Sequence, residues 1–353
     1  MSSPLIRDVP DEELTELLVR LGQPPYRGRQ LAFWLHRARA LAWDAMTDLP
    51  ADLRRELSAR FTLQALRPVE RLAAADGTRK FLFALGDGAT VESVAIPMEE
   101  HATFCLSSQV GCRMACRFCA TARGGLARQL TRGEILEQII HLEHDLGAQP
   151  LPGYGDRGWN VVFMGMGEPL DNWEQVGPAI ETLVSAQGWG VSARRVTVST
   201  SGHREGLRSL LAFPHPVGLT ISVNAVSPQL RRRLMPVPAR VPLPQLLELG
   251  ERYARRIHRK VTLGYVLIAG VNDDLGEARR LAGLVARRPF KVNLIPYNRL
   301  EEDELAASGA DRVLAFQNVL VEAGVPAYIR VSGGQDIAAA CGQLRRRHAP
   351  GSA

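Results

Sequence analysis

The sequence predicts an α/β fold: a partial (βα)6 barrel with a small N-terminal helical accessory domain and a linking β-hairpin. Three observations lead there. Apolar strand-like runs and helical segments alternate from about residue 102 to residue 331, and repeated βα units imply a parallel sheet with helices outside it. Six or so such units are too few for a closed eight-fold barrel, so an open, partial barrel is expected. The chain has 353 residues, enough at roughly 150 residues per domain for about two domains.

The first stretch reads as helices. Leu14, Leu17, Leu18 and Leu21 recur at helical spacing after the acidic turn Asp11-Glu12-Glu13. Gly22 and Pro24-Pro25 end that segment. A second amphipathic segment covers about 28–40, with Leu31, Trp34 and Leu35 on one face, and a third carries Leu53, Leu57 and Phe61. Residues 1–65 are therefore expected to form a helical accessory domain. Residues 66–100 are expected to form a β-hairpin extension, because strand signals at 80–85 and 90–96 flank Gly86-Asp87-Gly88. Residues 101–345 carry the barrel. Its strands are expected at 103–106, 159–164, 195–200, 217–223, 260–268, 290–296 and 326–331, and its helices at 131–146, 173–187, 203–212, 242–257, 275–287 and 309–323.

Apolar residues make up 46% and charged residues 23% of the chain, which excludes wholesale disorder and a collagen-like fibre. The net charge is +6, and the basic side is almost all arginine: the lysines are Lys80, Lys260 and Lys291. Guanidinium binds phosphate bidentately, so a phosphate-facing surface is one reading; a compositional bias toward arginine is the other. No run approaches 18 apolar residues and the first residues lack an apolar signal segment. No membrane partner is expected, and the expected compartment is the reducing cytoplasm.

Four of the five cysteines crowd into one stretch: Cys105, Cys112, Cys116 and Cys119, with Cys341 far away. Cys112-x3-Cys116-x2-Cys119 falls directly after the first barrel strand, where active residues of such folds gather. Three thiolates this close share a metal or are reactive. A 4Fe–4S cluster takes one cysteine per iron, so three leave one iron open. A zinc site closed by a fourth ligand, Cys105 or His101, is the competing reading.

With this motif the chain resembles the radical S-adenosylmethionine (SAM) superfamily, in which an aromatic such as Phe118 commonly precedes the third cysteine. The segments TFCLSSQVGCRMACRFCATARGG (103–125), VVFMGMGEPLDN (161–172), RRVTVSTSG (194–202), VNLIPYN (292–298) and QDIAAACGQL (335–344) are similar to the RlmN/Cfr family of radical SAM RNA adenine methyltransferases. YRGRQLAFWLHRARALAWDAMTDLP resembles that family's accessory domain.

The resemblance implies a 4Fe–4S cluster held by Cys112, Cys116 and Cys119, and two SAM molecules per turnover. It implies SAM contacts from Gly167 and Glu168, from Ser199, from Ser222, Val223 and Asn224, and from Asn298. It further implies that Cys341 accepts a methyl group, that a radical taken from that group adds to adenine, and that Cys105 then attacks the sulfur of Cys341 to free the product. Glu92 matches the family's proton acceptor, although a solvated strand glutamate is the plain alternative. The implied substrates are adenosine C2 in the peptidyl-transferase region of 23S rRNA and in tRNA 3′ of the anticodon. A Cfr-like C8 methyltransferase or a diverged radical SAM enzyme are the alternatives. An electron donor such as flavodoxin or ferredoxin is implied as partner, and a monomer is expected. The chain departs from the family in having Asn224 where a histidine is usual, in RQL at 128–130, and in an acidic stretch at 299–307.

Overall fold

The computed structural model describes residues 3–151, 158–237, 241–300 and 304–345. Part of the acidic stretch at 299–307, namely 301–303, and the basic residues Arg346, Arg347 and His348 lie outside the described residues.

The N-terminal helices are α1 (Asp11–Arg20), α2 (Tyr26–Ala32, continued by a wider helical turn over Phe33–Arg37) and α3 (Ala51–Arg60). Acidic residues in the first turn of α1 suit the positive end of the helix dipole. Leu14, Leu18, Leu31, Leu35, Leu53 and Leu57 close a hydrophobic cluster of their own, separate from the barrel core.

A ten-stranded sheet follows. It starts with an antiparallel meander of β1 (Leu66–Ala73), β2 (Arg79–Leu85) and β3 (Thr90–Pro97). The strand β4 (Ala102–Cys105) pairs antiparallel with β3 and begins the barrel. A small ribbon, β5 (Gln109–Gly111) with β6 (Leu126–Gln129), stands apart from the main sheet. The remaining strands run parallel in chain order: β7 (Trp159–Phe163), β8 (Val196–Thr200), β9 (Gly218–Ser222), β10 (Val261–Leu267), β11 (Phe290–Pro296) and β12 (Ala327–Ile329).

The helices between these strands are α4 (Ala120–Arg123), α5 (Arg132–Ala148), α6 (Trp173–Val184), α7 (Arg204–Ala212), α8 (Pro228–Leu234), α9 (Leu243–Ile257), α10 (Leu275–Val285) and α11 (Ala310–Glu322). They lie close to the expected segments, with the short helices α4 and α8 as additions, and the β5–β6 ribbon was not expected either. The third meander strand β1 was not expected: Pro68 sits at a bulge and most of its side chains are partly or fully exposed, so no alternation marks it as an edge strand. Helix α8 is short and rich in arginine; Ser227 caps it by accepting the Leu230 N–H, and Pro228 opens it.

Helix α5 is the joint between the two parts. Thr131 and Glu134 form a reciprocal capping box at its start. The Gly133 N–H donates to Asp8 Oδ1 at 2.7 Å and Arg132 pairs with Asp11 at 2.7 Å, which brings the N-terminal helices onto the same helix end.

Candidate active site

A cavity of about 170 Å³ opens at the C-terminal ends of the parallel strands. Phe163 of β7, Ser199 and Thr200 of β8, Thr220 and Ser222 of β9, Gly264 and Val266 of β10 and Ile295 of β11 form its floor and sides. Such placement follows from parallel strands, whose carboxyl ends all face one way.

One wall is the cysteine loop. Cys112, Cys116 and Cys119 all face the cavity, Cys112 buried and the other two half-buried. Gly111 makes the turn into this loop at φ +84°, and a Cβ there would lie 1.9 Å from the Gly125 oxygen. Only glycine fits that position. The Cys112 N–H then donates to the same Gly125 oxygen at 2.8 Å. Burial pushes the Cys112 thiol up, and the neighbouring charges of Glu168, Cys119 and Cys116 add to that rise. A positively charged group in the cavity would reverse this balance and hold the thiolates ionised.

The adjoining wall is the segment carrying Cys341. It is tied to the cysteine loop by the Ala120 N–H to the Gly342 oxygen at 2.7 Å and by the Thr121 hydroxyl to the Leu344 oxygen at 2.5 Å. Asn298 donates to the Cys341 oxygen and to Ser332 Oγ, both at 3.0 Å. Cys341 is exposed, but into the cavity, with protein around it; desolvation and the charge of Cys119 push its thiol up to about 11. Cys105 ends β4 and is buried between β3 and β7. Its thiol is pushed up to about 12 by burial and then by the charge of Cys341, which places the two cysteines within electrostatic reach.

Gly167 and Glu168 follow β7. Gly167 takes φ +108°, and a Cβ there would lie 2.7 Å from Ser108 Oγ. Glu168 is buried at the cavity edge, where its Oε2 accepts from the Ser201 N–H at 2.8 Å and from the Ser201 hydroxyl at 2.9 Å. Burial raises its carboxyl above the usual range, and hydrogen bonds from Ser201 and Thr200 oppose that rise. Asn224 lies in the left-handed region at φ +56°, a conformation asparagine and histidine tolerate better than most residues. Its Oδ1 accepts the Val266 N–H at 2.9 Å. The backbone geometry thus accommodates the departure from histidine.

The cavity unites Cys112, Cys116, Cys119, Gly167, Glu168, Ser199, Ser222, Asn224, Asn298 and Cys341. Glu92, Cys105 and Val223 are not among the residues lining it. Val223 is fully buried: its N–H donates to the Gly264 oxygen at 2.9 Å and its carbonyl accepts from Arg231. Glu92 is fully buried in the meander, 3.2 Å from Lys80 Nζ. Lys80 is a residue that motif reading missed; its signal was its rarity, a lysine in a chain that otherwise uses arginine.

Comparison with known proteins bears on this arrangement. The Radical SAM superfamily model matches residues 106–282, and the model of the ribosomal RNA large subunit methyltransferase N-terminal domain matches residues 6–63. A probable dual-specificity RNA methyltransferase RlmN from Moorella thermoacetica is 46% identical, over 96% of each chain. The chain belongs to the RlmN family. A dual-specificity RNA methyltransferase RlmN from Anaeromyxobacter sp. is 43% identical, over 99% of this chain and 92% of its own. The crystal structure of a radical SAM methyltransferase from Sphaerobacter thermophilus superposes with a TM-score of 0.90 at 39% identity, covering 97% of this chain and 99% of that one.

As an RlmN-family enzyme the chain is a methyltransferase that works with a 4Fe–4S cluster and SAM. The donor set fits such a cluster. Among the described residues, no three His, Cys, Asp or Glu side chains form a group placed to bind one metal ion. The thiols of Cys112, Cys116 and Cys119 border one shared space, and a 4Fe–4S cluster takes one cysteine per iron. Among the described residues, no helix is long and apolar enough to cross a membrane.

Proposed function

We propose that this enzyme methylates C2 of adenosine in 23S rRNA and in tRNA, with Cys341 as methyl carrier and Cys105 as the thiol that resolves it. The observation that carries this reading is the placement of the two cysteines outside the metal motif. Cys341 faces the cavity beside Cys119, while Cys105 sits behind it, buried and within its field. Cys105 has no need to touch RNA; it needs only the sulfur of Cys341.

Cys112, Cys116 and Cys119 are the proposed cluster ligands, and one SAM at the open iron supplies a 5′-deoxyadenosyl radical when bound. Glu168, Ser199, Ser222, Asn224 and Asn298 offer polar atoms for SAM around the rest of the cavity. A second SAM supplies the methyl group first placed on Cys341. In the resolving step the Cys105 thiolate attacks the Cys341 sulfur. An S–S bond forms and the sulfur–methylene bond breaks. The carbon keeps the electron pair and takes a proton to become the methyl group, and a thiol reductant restores both cysteines. An electron donor of the flavodoxin or ferredoxin class and a monomeric, cytoplasmic enzyme complete the proposal.

The N-terminal unit supports RNA as substrate. Tyr26, Arg29, Phe33 and Arg37 are all exposed, at spacings of three and four residues along α2 and its continuation. Aromatic faces and guanidinium groups on one helix side suit stacked bases and phosphates of unpaired RNA.

Anaerobic reconstitution with RNA, followed by nucleoside mass spectrometry, tests the proposal. 2-Methyladenosine is the expected product. An 8-methyladenosine peak would move the enzyme to the Cfr-like reaction, and no methylated adenosine would overturn the RNA reading.

A further inference from the structure

The segment that carries Cys341 has no strand or helix after Ile337 among the described residues. A loop without a ladder of its own depends on scattered contacts from elsewhere to locate it, here the Ala120 N–H on the Gly342 oxygen and a set of side chains. Two of these come from one place. Lys80 Nζ donates to the Ala338 oxygen at 3.0 Å, and Glu92 Oε2 accepts from the Arg345 N–H at 2.9 Å. The anchored positions fall three residues before and four residues after Cys341.

Lys80 and Glu92 are themselves one unit. Lys80 pairs with Val94 across the antiparallel register and Glu92 pairs with Leu82, so the two stand diagonally on the same face of β2 and β3. Their charged ends are 3.2 Å apart and their side chains are 2% and 0% exposed. A pair buried this completely is weak as a source of stability, since apolar residues of the same shape often do as well. Fixing a geometry is the better-attested use of such a pair.

We infer that Lys80 and Glu92 are positioning residues that clamp both ends of the 338–345 loop and so hold Cys341 between the cavity and Cys105. The inference rests on the proposed carrier role of Cys341. It reassigns Glu92, which sequence reading made a proton acceptor. The carboxylate does not line the cavity, and its two oxygens face Lys80 and the Arg345 N–H. Lys80 reaches neither the cavity nor a reacting atom.

The test compares Lys80→Met, Glu92→Gln and the double variant Lys80→Met/Glu92→Met with the wild type. Three readouts are taken: the equilibrium constant of the Cys105–Cys341 disulfide against a glutathione buffer, amide hydrogen exchange over 338–345, and kcat and KM for RNA methylation. Clamping predicts that both single variants weaken the disulfide by about tenfold or more, roughly 30 mV. It also predicts faster exchange in the loop, and a lower kcat at unchanged KM. The double variant leaves no unpaired buried charge, so it should fold, yet it should show the same loosened loop. Since the two residues act together, its losses should fall well short of the sum of the single losses. Glu92→Gln that abolishes methylation, with disulfide and exchange at wild-type values and Lys80→Met active, would restore Glu92 as proton acceptor and overturn the clamp. A wild type that forms the disulfide but methylates no RNA would remove the proposed function. The first two readouts would still decide the clamp.

Discussion

Arg7 and Glu137 are buried where the N-terminal helices meet α5; Lys80 and Glu92 are buried as fully behind the Cys341 loop. The two pairs differ in what else they hold. Arg7 also donates to the Leu63 and Ala40 carbonyls, and Glu137 accepts the N–H groups of Ala65 and Leu66 at 2.8 and 2.9 Å. Every partner of the first pair belongs to the joint between the accessory helices and the sheet. The second pair reaches from the meander to residues about 250 positions later in the chain, on either side of a reactive thiol. A buried pair is therefore read from its further partners: one seals an interface, the other places a loop.

The largest expected effect tests the first half of this contrast. Arg7→Met breaks the buried pair with Glu137 and strips the Leu63 and Ala40 carbonyls of their donor, which costs about 3–5 kcal/mol. Hydrogen exchange of the α1–α3 amides should register the loss, while the Cys105–Cys341 disulfide equilibrium stays at its wild-type value. A disulfide equally weakened by Arg7→Met would erase the distinction between the two pairs.

The reactive end of the contrast is probed by thiol labelling. With Cys341 raised to about 11 and facing the cavity, only a small thiolate fraction exists near neutrality. Iodoacetamide labelling of the apoprotein at Cys341 should accelerate about tenfold per pH unit from pH 7 to 9, because the thiolate is the nucleophile. Buried Cys105 should lag far behind under the same conditions. A flat pH profile for Cys341 would contradict the desolvated cavity wall.

A smaller effect concerns pH and the joint. Burial raises Glu137 to about 7, despite the opposing pull of Arg7. A carboxyl raised in the folded state binds its proton more tightly there than in the unfolded chain. Its contribution is complete below the ordinary carboxyl range and is lost as pH rises through about 7. Wild-type stability should thus decline from about pH 5 to 8 at the joint, and Glu137→Gln should flatten that decline in denaturant titrations followed at the N-terminal helices.

The smallest effect belongs to the capping box. Thr131→Ala removes the acceptor for the Glu134 N–H and should cost about 1 kcal/mol, measured by thermal unfolding, without altering the loop readouts around Cys341.

Much of the fold was legible because its signals are local. Runs such as WNVVFM at 159–164 and RVTVST at 195–200 alternate with long amphipathic helices, and each of those strands formed within a residue or two of its expected place. The cysteine motif was equally plain, since its three thiols are only three and four positions apart and come to one cavity wall. Strand β1 escaped because a bulged edge strand carries no two-residue alternation. Val223 was grouped with its neighbours Ser222 and Asn224, yet Ser222 and Asn224 border the cavity while Val223 is buried away from it. Strand β9 ends at Ser222 and the chain turns through the left-handed Asn224, so which of these side chains faces the cavity is set by that turn and not by the local pattern.

By itself the sequence determined the order of strands and helices, the three-thiol motif and the kinship that points to Cys105 and Cys341. The first two depend on periodicity and spacing over short stretches, where the chain's own geometry sets which residues are neighbours; the third rests on the resemblance of several motifs to a known family. Tertiary structure alone decided that Cys105 is buried off the cavity yet within electrostatic reach of Cys341, that Glu92 lies outside the cavity, and that Lys80 and Glu92 reach the two ends of one loop. Those contacts join residues more than 200 positions apart. They exist only after the sheet has assembled in register from the meander to its last strand and brought the C-terminal segment back against the cysteine loop and the meander.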